Sequence, residues 1–243
     1  MIIQQHRAVL IVFLCFVFEL TISCATTGGG NKGPLTDSDI ETVSWSFQSG
    51  YSYGNFSLFS LNAAAAKRNP QLNDYLNALL YRGRTAQGFL DYIKADSAEW
   101  DREGYEIKYT WEIKGKYLLL KGIYSGAVGS SYNDSVFFII DTALIKRLTI
   151  NDIIVDSGSP DLQRLVWDRL SRAGNFSWIA SRQTNIYKSL EERSFSIFID
   201  GSNFIFHWNE GLIAANAAGA FEAALQRSEV LPYLTDTGRE LLN

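Results

Sequence analysis

The chain has 243 residues, 47% of them hydrophobic and 14% aromatic, and its 26 acidic residues outnumber 22 Lys and Arg for a net charge of −4. So large an apolar fraction excludes a disordered chain, and a weakly acidic balance without basic runs argues against a nucleic-acid partner. Two cysteines, Cys15 and Cys24, and two histidines, His6 and His207, leave little material for thiol or metal chemistry.

Met1 to Arg7 is short and carries one fixed positive charge, and Ala8 to Phe18 is an unbroken apolar run, AVLIVFLCFVF. That run is about half of the ~20 residues a bilayer span needs, so it reads as a secretory signal. Glu19 interrupts the apolar character, and Leu20-Thr21-Ile22-Ser23 ends on a small residue directly before Cys24. The arrangement resembles the lipobox of bacterial lipoproteins, with Thr21 where Leu is usual and Leu20 one place earlier. In that family the cysteine is diacylated on sulfur and becomes the mature N-terminus. The resemblance implies a signal peptide over 1–23, a membrane anchor on Cys24, and export to the cell envelope, at the outer membrane or periplasmic face. The alternative is an uncleaved N-terminal anchor with Cys24 an idle thiol, which exports the rest of the chain equally. With 1–23 removed, Cys24 is the last cysteine and no disulfide can form. Each acyl chain adds about 0.8 kcal/mol per buried methylene, and stable attachment needs more than one chain. The following stretch to Asp39, ATTGGGNKGPLTDSD, reads as a flexible tether.

Residues 40–104 read as an N-terminal part of strands and helices. Val43-Ser44-Trp45-Ser46-Phe47 alternates apolar with polar, and after Gly50 the alternation resumes at Tyr51 and Tyr53. Gly50-Tyr51-Ser52-Tyr53-Gly54 also fits the G-x-S-x-G nucleophile elbow. An elbow needs a helix directly after the serine, whereas Asn55-Phe56-Ser57-Leu58-Phe59 keeps alternating, so a turn accounts for the glycines. Asn69-Pro70 opens a helix with Leu72, Tyr75, Leu76, Leu79 and Leu80 on one face, and Ala86, Phe89, Leu90, Ile93 and Trp100 mark a second. Glu99, Asp101 and Glu103 read as its solvated end.

Residues 105–243 read as a C-terminal part continuous with the first. Tyr105–Lys114 is the clearest strand, Gly115-Lys116 turns it into Tyr117–Tyr124, and Ser135–Asp141 is another. Ser159-Pro160-Asp161 starts a helix carrying Leu162, Leu165, Val166 and Leu170. Phe195–Ile199 and Phe204–Trp208 form a hairpin across Asp200-Gly201-Ser202, and the second strand, apolar on both faces apart from His207, reads as an inner one. Ala214, Ala215, Ala217, Ala218 and Gly219 mark a place of close packing, Phe221–Gln226 returns as a neighbouring strand, and Ser228 caps a short helix with Leu231 and Leu234. Truncation near residue 200 should then abolish folding, whereas Thr237–Asn243 should be dispensable. Antiparallel strands with a few packed helices make the fold class α+β.

Several matches occur in order. Tyr124, Gly126 and Ala127 lie at one strand end; Asp141, Leu148, Ile150 and Asp152 form a corner; and Phe204, Phe206, Asn209, Ile213, Ala214, Ala217, Ala218, Gly219, Leu231 and Leu234 close the chain. This set resembles the extracytoplasmic domain shared by the anti-sigma factor RsiV and the accessory region of the peptidoglycan deacetylase PdaC. Val128 replaces the family's turn histidine, and Glu210-Gly211 replaces its Pro-Tyr pair. The resemblance covers about residues 105–236 and implies a non-enzymatic recognition domain whose partner is a lysozyme-like protein or cell-wall peptidoglycan.

The side-chain inventory suits that reading. The mature chain has one histidine and cannot build a His-rich zinc site, so no metal, cofactor or catalytic residue is assigned. The glycine- and serine-rich turn YSGAVGSSY offers Tyr124, Ser125, Gly126, Gly129 and Tyr132 as binding residues. Trp45, Phe47, Tyr51, Tyr53, Phe56 and Phe59 either form a second contact surface or fill the core. The alternative function is an envelope serine hydrolase using Ser52 and His207.

Overall fold

A computed structural model describes residues 33–98, 100, 103–128, 130–172, 181–213 and 219–243, with backbone alone at 128 and 130–132. The expected signal segment, Cys24, most of the tether, Gly129, and the alanines at 214, 215, 217 and 218 lie outside these residues. So do Glu99 and Asp101.

The alternating segments on either side of Gly50 fold as a hairpin. Strand β1 (Ile40–Ser49) pairs antiparallel with β2 (Ser52–Leu61), from Ile40↔Leu61 to Ser49↔Ser52. Gly50 takes φ +59° at the turn, a conformation that costs glycine nothing. Three helices follow: α1 (Ala63–Arg68), α2 (Pro70–Tyr81) and α3 (Ala86–Ser97). Asn62 caps α1 by accepting the Ala65 amide at 2.9 Å, and Thr85 caps α3 by accepting the Gly88 amide at 3.0 Å. Leu72, Leu76 and Leu80 are buried on the apolar face of α2, together with Tyr81, whose hydroxyl donates to the Phe59 carbonyl at 2.6 Å. Helix α3 stops before Trp100, whose indole N–H donates back to Asp96 at 3.0 Å.

Strand β3 (Gly104–Lys114) then pairs with β2 in parallel, from Tyr53↔Gly104 to Ser57↔Lys108. The α+β expectation holds, with this one parallel joint in an otherwise antiparallel sheet. The helical crossover returns the chain to the end of the sheet where β2 began, as a parallel neighbour requires. From there β4 (Tyr117–Val128), β5 (Ser130–Asp141) and the short β6 (Lys146–Arg147) continue antiparallel, completing a six-stranded sheet in chain order.

Helices α4 (Ile150–Ile153), α5 (Pro160–Ser171) and α6 (Gln183–Glu192) lead to a second, three-stranded antiparallel sheet of β7 (Ser196–Asp200), β8 (Asn203–Trp208) and β9 (Phe221–Gln226). Strand β8 is central, and Phe204, Ile205, Phe206, His207 and Trp208 are all buried, as their sequence predicts. Phe204, Phe206 and Trp208 join Leu162, Val166, Leu170, Ile186 and Leu190 in a core that extends to Leu119 and Ile139 of the larger sheet. The Trp208 indole donates to the Ser189 hydroxyl at 2.8 Å, so the polar edge of this buried ring is satisfied.

Two expectations about the C-terminus change. Gln226, not Ser228, caps α7 (Arg227–Val230): its amide donates to Glu229 at 2.8 Å, and Arg169 grips the same carboxylate at 2.6 Å. The tail is structural, because Leu241 and Leu242 of the last turn, at the end of α8 (Asp236–Leu241), are buried in the core. Glu240 also accepts the Tyr117 hydroxyl at 2.6 Å. Residues Lys32–Asn243 form one compact unit.

Candidate functional site

Register brings three distant segments to one end of the six-stranded sheet. Tyr53 stands beside Gly104, Gly104 beside Ala127, and Ala127 beside Ser131. The β1–β2 turn, the start of β3 and the β4–β5 hairpin therefore share a rim. Gly104 is what lets them close up, since a Cβ there would strike the Tyr53 ring. Tyr51 is 83% exposed at this rim and Tyr53 38% exposed.

The early aromatics divide between core and surface. Phe56 and Phe59 are buried. Trp45 and Phe47 are half-buried and stack at 4.7 Å, Phe47 meets Trp100 at 5.4 Å, and Trp100 meets Tyr105 at 4.5 Å. A row of rings thus runs from the core toward the rim. Each contact of this kind adds about 0.5–1.5 kcal/mol beyond its buried area. From the sequence Trp100 reads as part of a solvated helix end, with a cation or sugar site as the alternative, and Tyr105 as a strand residue. Their placement follows from the long-range parallel register, for which local spacing holds no signal.

Tyr124 and Ser125, neighbours among the expected contact residues, lie on opposite faces. Tyr124 packs over Gly122 and shares a hydroxyl–hydroxyl hydrogen bond with Tyr109, so it anchors the stem of its hairpin. Ser125 points the other way and donates to Glu106 at 3.3 Å. Gly126 pairs with Tyr105 on one side and Tyr132 on the other. Asp134, opposite Tyr124, is held above the ordinary carboxylate range by burial and then by the nearby Glu210, with His207 opposing.

Ser52 and His207 stand in different sheets and share no hydrogen bond. The Ser52 hydroxyl donates to the Trp100 carbonyl at 3.2 Å, and a strand follows it in place of the helix an elbow needs. His207, 3% exposed on β8, sets Nδ1 3.0 Å from Glu222 and Nε2 2.8 Å from Asn209. Among the described residues no group of His, Cys, Asp and Glu is arranged to hold a metal ion.

No protein-family model matches the chain, and no curated protein matches it. Solved structures do. A DUF3298 family member from Bacteroides fragilis superposes on 83% of this chain over 96% of its own, with a TM-score of 0.56 and 14% identity. A DUF3298 family protein from Pseudomonas aeruginosa superposes on 86% of this chain over 98% of its own, with a TM-score of 0.52 and 10% identity. The chain has the DUF3298 fold. At such identity the likeness is one of backbone path. Among the described residues, no helix is long and apolar enough to cross a membrane.

Proposed function

We propose that the chain is a lipid-anchored, non-enzymatic recognition protein of the cell envelope, tethered through Cys24 and contacting a lysozyme-like protein with the rim of its six-stranded sheet. One observation carries this reading. Two hairpin segments rich in Tyr, Ser and Gly, QSGYSYGN at 48–55 and YSGAVGSSYN at 124–133, belong to strands whose described residues converge on one rim. Tyrosine brings a large rigid contact at little entropic cost while Ser, Gly and Asn adapt around it, the mixture that antibody paratopes use against protein surfaces. Tyr51 is the exposed aromatic such a contact turns on. The resemblance to the RsiV and PdaC domain supplies the partner class, with peptidoglycan as the second ligand it implies.

The test is capture of the full chain, solubilised in detergent, by immobilised lysozyme and separately by purified peptidoglycan. Lysozyme should hold the wild type, and Tyr51→Ala should bind at least tenfold more weakly with an unchanged melting temperature. Capture by peptidoglycan alone would replace the protein partner with a glycan, and capture by neither would end the recognition reading.

A further inference from the structure

A groove of about 320 Å³ lies where the smaller sheet crosses the larger one, lined by Thr110 and Glu112 of β3, Lys121 of β4 and Ile197–Asp200 of β7. Phe137 and Phe198 also line it, stacked at 4.3 Å with their planes 5° apart. Two features here could accept a further partner. Strand β7 is an edge strand, bonded to β8 along one side only, and no backbone hydrogen bond from another described residue reaches Ser196–Asp200. Lys121 sets its ammonium 4.8 Å from the Phe198 ring centre and 5.3 Å from that of Phe137; its charge helps to hold the Glu222 carboxyl low, but Glu222 is itself paired with His207.

An open strand edge presents a row of peptide donors and acceptors that another chain can complete. The floor beside this edge has a cation over aromatic faces, and a carboxylate brought there would form a charge-assisted hydrogen bond stronger than a neutral one. The acidic residues of the groove do not fill that role: Glu112 pairs with Lys114 at 3.6 Å, and Asp200 is exposed beside the β7–β8 turn.

We propose that the groove takes an extended peptide segment, added to β7 as a fourth strand of the smaller sheet, with an acidic side chain set against Lys121. Side chains of an added strand alternate, so every second residue of the guest faces the groove floor. The residue beside Phe198 would be β-branched or aromatic, the cross-strand partners an aromatic position favours. This inference concerns a surface other than the rim and does not depend on what the rim binds.

Panning a displayed library of random heptapeptides against the full chain tests it. Recovered binders should share a strand-like alternation with one acidic position, and the corresponding synthetic peptide should slow hydrogen exchange at β7 amides. Lys121→Gln should weaken that peptide at least tenfold, and Lys121→Arg, which keeps the charge, should retain it. Binders without an acidic position, equal affinity for the Gln variant, absence of protection in β7, or no binders at all would each overturn the proposal. If the Gln variant fails to fold, the exchange measurement on the wild type decides alone.

Discussion

His207 and Asn209, two residues apart, meet at the seam between the sheets: the imidazole Nε2 lies 2.8 Å from the Asn209 Oδ1, which also accepts the Ser135 amide at 3.0 Å. The Ser135 N–H fixes which end of the Asn209 amide faces inward, so Nε2 is the donor. One side chain thereby ties β8 to β5, the strand that leads into the contact hairpin. Asn209→Leu keeps the volume but strands the buried His207 donor, at on the order of 1–3 kcal/mol, and also frees the half-buried Ser135 amide. Urea denaturation should show a midpoint shift of that size with an unchanged slope. An unmoved midpoint would show that the seam does not depend on this oxygen.

Glu222 holds the other side of the same imidazole. The His207 hydrogen bond keeps its carboxyl below the ordinary value of 4.5, against the opposing effect of burial. A folded-state value below the unfolded one means that Glu222 contributes stability above pH 4.5 and loses it as the pH falls through the folded value. Melting curves from pH 7 down to pH 3 should therefore decline less steeply for Glu222→Gln than for the wild type. Asp39, Asp152 and Glu240, all held low as well, keep part of the acid sensitivity in place.

The C-terminal residues are tested by two truncations. A chain stopped at residue 200 loses β8 and β9, and with them the middle of the smaller sheet, so it should show no cooperative thermal transition. Deleting Thr237–Asn243 removes Leu241 and Leu242 from the core and breaks the Tyr117–Glu240 bond. At about 1.5–3 kcal/mol for each buried leucine, that deletion should lower the melting temperature by many degrees. A deletion that melted like the wild type would restore the view of the tail as dispensable.

Lipidation of Cys24 is motivated by its place at the end of the apolar run and is read by mass and fractionation. Cys24→Ser should lose the acyl mass and either leave the membrane fraction or accumulate as a longer precursor. Identical mass and fractionation in the two proteins would remove the anchor from the proposal.

Turn and cap chemistry made much of the fold legible in advance. Gly50, Gly115 and Gly201 marked three hairpins, Asn69-Pro70 and Ser159-Pro160 marked two helix starts, and the two-faced apolarity of Phe204–Trp208 marked a central strand. Partners were less legible, because alternation states which face a residue occupies and not which strand lies beside it. Hence local spacing carries no sign of the parallel joint between β2 and β3, or of the rim it builds from the β1–β2 turn, the start of β3 and the β4–β5 hairpin. The expected turn at Tyr124 is strand up to Val128, and the inward attachment of Tyr124 to Tyr109 depends on Gly122 having no side chain. The start of β5 at Ser130 was hidden by polar residues where a strand usually shows apolar ones.

The parallel joint also orders events in time. The β1–β2 and β3–β4 hairpins close across turns of two residues, whereas β2 meets β3 only after the chain between Leu61 and Gly104 has looped back. Non-local pairing of this kind forms slowly, after local contacts are in place. A refolding chain therefore passes through a period in which two preformed ribbons each expose the strand edge meant for the other, and such edges pair readily with a second molecule. Refolding yield should fall as protein concentration rises, even where the native protein stays in solution.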